Sequence, residues 1–195
     1  MAARLLLICH ASTDAVRRSA FPANEALDCS GRDKAAALAG RLPTRDRCWT
    51  GPELRTRQTA QALGLDAQVD VRLRDCDYGT WAGRSLDEVN AEDADGVSRW
   101  LDDPAATPHG GEALVDVIDR VGAWLQELVV TSGRVIAVTH PAVIRAAIVV
   151  ALEATPRSFW RIDVAPLSLT RLSGDRGRCN LRSLESEPNS SWPEV

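Results

Sequence analysis

Two apolar runs, far apart in the chain, each end at a histidine. Residues 5–8 (LLLI) precede Cys9 and His10, and residues 135–138 (VIAV) run through a threonine into His140. A short, continuous apolar run followed by polar residues is typical of a strand buried in a parallel sheet. Ligands bind beside the carboxyl ends of such strands. The pattern therefore predicts two imidazoles at one sheet edge, although either histidine alone is more simply interpreted as a strand-end residue.

The rest of the pattern alternates between strand-like and helix-like segments, which predicts an α/β fold with a mainly parallel sheet. The strongest helix signal covers about 112–130, where apolar residues recur at helical spacing. Helices are also predicted at 34–42, 53–63 and 142–152. Further strands are predicted at 47–50, 68–73, 135–139, 162–164, 167–172 and 179–184. Residues 11–30 and the Gly- and Asp-rich segment 75–111 are expected to be irregular.

Length, charge and cysteine content narrow the class of protein. The chain of 195 residues can build one sizeable core. We expect a single domain over 1–185, with 75–111 as an irregular insert near the site and 186–195 as a poorly ordered tail. The net charge of −4 gives no reason to expect a nucleic-acid partner. We find five cysteines without Cys-x-x-Cys spacing, no signal peptide and no apolar run near the roughly 20 residues of a membrane span. These features indicate a cytoplasmic protein without a membrane partner.

Two further blocks offer chemistry at the same sheet edge. Residues 51–60 (GPELRTRQTA) place Arg55 in the first turn of a predicted helix. A helix N-terminus favours an anion, and an arginine there can add a bidentate phosphate contact. Residues 73–83 (LRDCDYGTWAG) follow the third predicted strand and bring Asp75 towards this edge. Taken separately, Arg55 also fits a surface ion pair and Asp75 a turn-forming residue.

Five blocks in order resemble the signature of the histidine phosphatase superfamily, which has the phosphoglycerate-mutase-like fold. The family pattern is strand–RHGxT, SPLxRAxQTA, LxExxFGxWxG, GGES and strand–SHGG. The corresponding stretches are CHAST at 9–13, GPELRTRQTA at 51–60, LRDCDYGTWAG at 73–83, GGEA at 110–113 and THPA at 139–142. The resemblance spans residues 4–145, about three quarters of the chain. It implies a three-layer α/β/α fold with a mainly parallel central sheet.

The resemblance also implies a reaction in which a histidine attacks phosphorus and is transiently phosphorylated, without a metal or other cofactor. It assigns His10 as the nucleophile, Arg55 as a phosphate ligand and His140 as a second stabiliser of the phosphoryl oxygens. Asp75, in place of the family's glutamate, corresponds to the proton donor, and Thr13 of the first block is a candidate phosphate ligand. These roles agree with the physics, because imidazole is available as a neutral nucleophile near pH 7.

Several positions depart from the family pattern. Cys9 stands where the family has the arginine before its nucleophile, Ala11 replaces the next glycine and Val16 replaces the usual asparagine. Loss of one charge-stabilising donor typically lowers the rate on the order of 10²–10³-fold. Arg17 or Arg18, in the same loop, could fold back to replace the lost charge, and Arg17 is therefore a candidate phosphate ligand.

Cys9 raises the alternative of a cysteine-based phosphatase, which needs Cys-x₅-Arg. Position 15 is alanine and the first arginine is Arg17, so this alternative is rejected. His109 matches no catalytic position and is expected to be a loop residue.

The favoured function is a metal-independent phosphatase acting on a small phosphate monoester. The main alternative is a weak or inactive member of the fold that binds phosphate ligands or protein partners. A phosphoglycerate-type mutase comes third, because segment 84–107 is short and acidic. The sequence leaves a homodimer open.

Overall fold

The computed structural model describes residues 3–131, 133–175 and 177–186, which form a six-stranded sheet with helices on both faces. The strands are β1 (Ala3–Cys9), β2 (Arg47–Thr50), β3 (Gln68–Val69), β4 (Arg134–Thr139), β5 (Leu169–Asp175) and β6 (Arg178–Glu185). The helices are α1 (Asp14–Arg17), α2 (Cys29–Ala37), α3 (Leu54–Ala62), α4 (Leu86–Glu92), α5 (Ala94–Asp102), α6 (Leu114–Thr131) and α7 (Pro141–Ala151). Short 3₁₀ turns lie at Val71–Leu73, Gly79–Trp81 and Pro156–Arg161.

The strand order is β3-β2-β4-β1-β5-β6, and the first four strands are parallel. β5 and β6 are antiparallel to their neighbours. Cys9 pairs with Thr139, so β1 and β4 end at the same level of the sheet. The backbone N–H of His10 donates to the carbonyl oxygen of Thr139 over 2.9 Å and extends this register by one residue. The two central strands therefore place the residues after their carboxyl ends at one edge, as predicted.

The central strands are buried on both faces, because helices cover each side of the sheet. Leu5 and Leu7 of β1 belong to the core cluster that includes residues of α6 and α7. Leu6 and Ile8 point the other way and join the cluster that includes Ala60 of α3. The continuous apolar run of β1 is explained by this double burial. The predicted three-layer α/β/α architecture is confirmed.

Two strand predictions are corrected, one over most of its length and one completely. The strand predicted at 68–73 ends at Val69, because the Asp70 carboxylate accepts from the backbone N–H of Arg72 and caps a 3₁₀ turn. Asp75 therefore follows a turn and not a strand. The strand predicted at 162–164 does not form. The carbonyl oxygen of Ile162 instead accepts a hydrogen bond from Nε of Arg145, a side chain of α7.

The helix predicted at 34–42 begins five residues earlier, at Cys29, and ends at Ala37. The Asp28 carboxylate caps it by accepting from the backbone N–H of Gly31 over 2.6 Å. Gly31 is required there, since a Cβ atom would lie 2.4 Å from the carbonyl oxygen of Ser12 in the loop after β1. The start of α2 is thus decided by its contact with that loop, and residues 11–30 also contain the single turn α1.

Segment 75–111 is not irregular throughout, because it contains α4 and α5. Ser85 and Glu88 form a reciprocal capping box at the start of α4. Asp93 caps α5 by accepting from the backbone N–H of Gly96. Phe21, Trp81, Val89 and Val97 form a separate small core beneath these helices. The capping-box spacing was readable in the sequence, but the acidic composition of the segment obscured the helices.

The predicted tail at 186–195 lies outside the described residues except for residue 186. Among the described residues, none of the helices combines the length and the apolar character that a membrane span requires.

Candidate active site

The two strand-end histidines meet, as the sequence predicts. The ring centroids of His10 and His140 lie 5.3 Å apart, with an angle of 63° between the ring planes. His10 follows β1, and His140 is the N-cap residue of α7, directly after β4. Both side chains are buried. The carboxyl edge of the parallel strands therefore holds a pair of imidazoles shielded from solvent.

The His10 ring has its protonation pattern set by the backbone. Its Nδ1 lies 2.8 Å from the carbonyl oxygen of Ala11. A carbonyl oxygen can only accept, so Nδ1 carries the hydrogen and Nε2 keeps its lone pair. Burial has the largest effect on the pKa of His10, and the positive charges of His140 and Arg55 act in the same direction. Together they lower this pKa from 6.5 to about 3. His10 is therefore a neutral imidazole near pH 7, with Nε2 in the form that a nucleophile needs.

Arg55 lies in the first turn of α3 and is buried. Its Nη1 donates to the carbonyl oxygen of Ala23 and its Nη2 to Oδ2 of Asp75, both over 2.6 Å. Its Nε is buried and makes no hydrogen bond within the described part of the chain. A guanidinium with an unused donor at a helix N-terminus is suited to an incoming anion.

Asp75 joins the cations of the site. Its Oδ2 accepts from Arg55 and lies 3.4 Å from Nδ1 of His140, and its Oδ1 accepts from the backbone N–H of Cys76. Burial acts to raise the pKa of Asp75, but the positive charges of His140 and Arg55 outweigh it and the pKa is lowered. Asp75 is therefore ionised in the free protein. The predicted convergence of all four principal site residues is confirmed.

Glu53 is a site residue that was not predicted from the sequence. It occupies the N-cap position of α3, but its carboxylate makes no capping bond. Oε2 lies 2.7 Å from Nε2 of His140, and Oε1 accepts from the backbone N–H of Asp75. Burial acts to raise the pKa of Glu53, but the hydrogen bond from His140 and its charge outweigh this and lower it. A signal was present, because Glu53 stands at the leucine of the SPLxR pattern.

Thr59, also missed, connects α3 to the loop that carries the nucleophile. Its Oγ1 accepts from the backbone N–H of Ala11 over 3.0 Å and donates to the carbonyl oxygen of Arg55 over 2.7 Å. Ala11 is the residue whose carbonyl oxygen orients His10. The threonine of the QTA block thus holds the two halves of the site in register.

Thr13 is buried, but its hydroxyl group is already engaged. The hydroxyl donates to Oε1 of Glu25 over 3.1 Å and accepts from the backbone N–H of Val16, capping α1. The structure therefore gives Thr13 a structural bond where the sequence analysis expects a phosphate ligand.

The expectation that Arg17 or Arg18 folds back into the site is contradicted. The Arg17 side chain is 63% exposed and pairs with Asp14 and Asp28. Arg18 is also exposed and lies 3.8 Å from the same Asp14 carboxylate. These local ion pairs draw both guanidinium groups towards solvent, so neither replaces the charge that is absent at position 9.

Cys9 and His109 are placed as expected. Cys9 is fully buried, and burial together with the negative charge of Asp75 raises the pKa of its thiol far above the usual range. This disfavours a thiolate nucleophile. His109 lies in a loop, where its Nδ1 accepts from the backbone N–H of Gly111 and its ring packs against Trp81.

Comparison with known proteins points to the same family as the sequence motifs. The model of the histidine phosphatase superfamily (branch 1) matches residues 5–187. The "Bifunctional protein Rv2228c" of Mycobacterium tuberculosis is 32% identical over 185 residues, which cover 88% of this chain and 51% of that protein. The chain thus spans about half the length of this relative.

Two further similarities cover most of both chains. The glucosyl-3-phosphoglycerate phosphatase of Mycolicibacterium vanbaalenii is 32% identical over 176 residues, 82% of this chain and 78% of that protein. The solved structure of a mycobacterial glucosyl-3-phosphoglycerate phosphatase with VO3 is 28% identical, covers 96% of this chain and 100% of that one, and superposes with a TM-score of 0.80. With a family model matched over nearly its whole length, the chain belongs to the histidine phosphatase superfamily.

Proposed function

We propose that this chain is a phosphoric monoester hydrolase that works through a phosphohistidine on His10. One observation carries the proposal: a buried histidine whose Nε2 keeps its lone pair stands beside a buried guanidinium and a second imidazole. Phosphoryl transfer needs an in-line nucleophile and positive charge around the equatorial oxygens, and little else from the protein. Arg55 and His140 supply that charge.

The reaction has two steps. In the first, Nε2 of His10 attacks phosphorus, a P–N bond forms, the P–O bond to the alcohol breaks, and the alcohol oxygen leaves with a proton from Asp75. In the second, water attacks the phosphohistidine and gives one proton back to Asp75. The P–N bond then breaks, and inorganic phosphate is released.

The first step requires Asp75 to be protonated, whereas the free protein holds it ionised. The arriving phosphoryl group changes this balance, because its negative charge approaches the carboxylate and competes for Nη2 of Arg55, the group bonded to Asp75. A like charge and the loss of a cationic partner both raise the pKa of a carboxyl group. Asp75 therefore gains its proton as the substrate binds.

The proposed substrate is a small phosphate monoester. Relatives named glucosyl-3-phosphoglycerate phosphatase and phosphoserine phosphatase support this class without selecting a member of it. A cytoplasmic location and a homodimeric assembly stay predictions from the sequence.

A second candidate function is binding without efficient turnover. It is favoured by the state of Arg55, whose two Nη atoms are held by Ala23 and Asp75, and by the uncharged, buried Cys9 beside the nucleophile. Such a protein would bind inorganic phosphate or a phosphorylated ligand at this edge and release little product.

The test compares the unsubstituted protein with His10→Ala and Cys9→Ser on a panel of phosphate monoesters, measuring inorganic phosphate. Rapid quenching with a labelled donor is expected to trap an acid-labile, base-stable phosphoprotein in the unsubstituted protein and in Cys9→Ser, but not in His10→Ala. Label that persists in His10→Ala and disappears in Cys9→Ser overturns the assignment. Phosphate binding without label or product supports the second candidate.

A further inference from the structure

Two departures from the family pattern occupy one volume beside His140. The family serine of SPLxR is Gly51 here, and the family leucine is Glu53. A Cβ atom on Gly51 would lie 3.1 Å from both Nε2 of His140 and Oε2 of Glu53, and 2.8 Å from the carbonyl oxygen of Leu73. The absence of a side chain at position 51 therefore leaves room for the Glu53 carboxylate to reach the imidazole. The two departures depend on each other.

The His140 ring lies between two carboxylates. Nε2 is 2.7 Å from Glu53, and Nδ1 is 3.4 Å from Oδ2 of Asp75 without forming a hydrogen bond. A neutral ring carries one N–H, so donation to Glu53 would leave a lone pair on Nδ1 directed at a carboxylate. An imidazolium carries a hydrogen on both nitrogens, and both then meet negative charge. The geometry fits the charged form.

We propose that Glu53 is a positioning residue that holds His140 as an imidazolium, and that this cation makes up part of the charge lost with the family's arginine at position 9. The proposal rests on the phosphatase function proposed above. Glu53 binds Nε2, on one side of the ring, and leaves the N–H of Nδ1 available to a phosphoryl oxygen. The carboxylate thus supports the cation while the other ring nitrogen serves the substrate.

The charged groups around His140 come from several elements. Glu53 and Arg55 belong to the start of α3, Asp75 follows the 3₁₀ turn after β3, and His10 follows β1. Of these four groups, Glu53 is bonded directly to the ring, whereas Asp75 is bonded to Arg55. When a phosphoryl group takes Arg55 from Asp75, Glu53 remains on Nε2. Its effect therefore persists in the substrate complex.

The decisive variant is Glu53→Gln, because glutamine keeps an oxygen that accepts from Nε2 but removes the charge. NMR of the histidine side chains in the free protein measures the protonation of His140 without any need for turnover. Variants that each lack one of the three histidines assign the signals. We expect His140 to titrate at a pH lower by about one unit or more in Glu53→Gln, since an opposite charge within about 4–6 Å shifts a titration by one to three units. The control Glu127→Gln removes an exposed carboxylate on α6 and should leave the titration unchanged.

Activity and phosphate binding supply the second readout. In Glu53→Gln the alkaline limb of kcat/KM should move to lower pH by the same interval, and the affinity for inorganic phosphate should fall severalfold. Cys9→Arg should reduce the loss caused by Glu53→Gln, because it restores a cation by another route. Gly51→Ser should reproduce the Glu53→Gln titration without removing a charge, since its side chain displaces the carboxylate.

An unchanged His140 titration in Glu53→Gln overturns the proposal, whatever the protein hydrolyses. If Glu53→Gln lowers activity and phosphate affinity equally with and without Cys9→Arg, the His140 cation does not replace the charge lost at position 9. The NMR titration then decides by itself whether Glu53 positions His140. If no phosphate monoester is hydrolysed, the function proposed above fails, whereas the titration and phosphate-binding results still test the role of Glu53.

Discussion

The two strand-end histidines arrive in the same way but have different partners. Each follows a buried parallel strand, and the two strands end in register. The Nδ1 hydrogen of His10 is donated to a carbonyl oxygen, whereas His140 contacts the carboxylate of Glu53. A carbonyl oxygen selects one neutral tautomer, and a carboxylate favours a cation. A common sequence pattern thus places each imidazole, while the atom opposite its ring decides what that imidazole can do.

Replacement of each histidine by alanine tests this division of roles and should give the largest effect. His10→Ala removes the nucleophile, so kcat/KM should fall by at least about 10⁴-fold. His140→Ala removes one source of charge and should lower kcat/KM on the order of 10²–10³-fold. Steady-state kinetics on the best substrate of the panel measures both values. Equal losses would mean that the two histidines share one role. A larger loss in His140→Ala would mean that their roles are exchanged.

Asp75→Asn tests the proposed proton donor to the leaving oxygen. The loss should be on the order of 10²–10⁴-fold for an alkyl phosphate, whose leaving oxygen needs a proton. It should be much smaller for an aryl phosphate with a good leaving group, because that oxygen departs without protonation. The measurement is the ratio of kcat/KM for the two esters in each protein. A ratio that Asp75→Asn leaves unchanged would assign proton donation to another group.

Cys9→Arg tests whether the site lacks the positive charge that the family pattern places at position 9. Since Arg17 and Arg18 pair with surface carboxylates, the new guanidinium should raise kcat/KM by roughly tenfold. Arg17→Ala, a change outside the site, should leave kcat/KM near its original value. The thermal midpoint of each variant serves as the control for folding, because Cys9 is fully buried. Activity lost in a folded Cys9→Arg protein would mean that the pocket has no space for this charge.

The acid stability of the protein tests the low pKa of His10, with a measurement that needs no substrate. A histidine in the unfolded chain titrates near 6.5, whereas the pKa of His10 is about 3. Between these values the unfolded state binds a proton that the folded state does not, so stability falls as pH decreases through this window. Relative to His10→Asn, the unsubstituted protein should lose up to about 1.4 kcal/mol more per pH unit. Urea midpoints at several pH values measure this, and parallel slopes would contradict the buried, neutral assignment.

Part of the site was predictable because it depends on the strand ends and on ordered motifs. His10 and His140 follow paired strands, and Arg55 lies in the first turn of α3, so their convergence follows from the sheet and its helices. Asp75 follows a turn, and its bond to Arg55 holds it at the site. Arg17 was misjudged, because the sequence shows a nearby charge but not the carboxylates that compete for it. Glu53 was overlooked because its position is apolar in the family pattern, and its use depends on the space beside Gly51.

The amino-acid sequence was enough to predict the layered α/β fold, the parallel centre of the sheet and the edge at which the chemistry lies. These features depend on the period and length of apolar runs, which are local properties of the chain. Three features became clear only from the folded chain, namely the helix start at Cys29, the turn before Asp75 and the partner of each imidazole. The pairing of His140 with Glu53 and the approach of Gly31 to Ser12 join residues distant in sequence. The turn before Asp75 and the carbonyl partner of His10 depend on short-range hydrogen bonds, which a pattern of apolar residues does not show. The role of a buried histidine is therefore decided by the atoms around its ring.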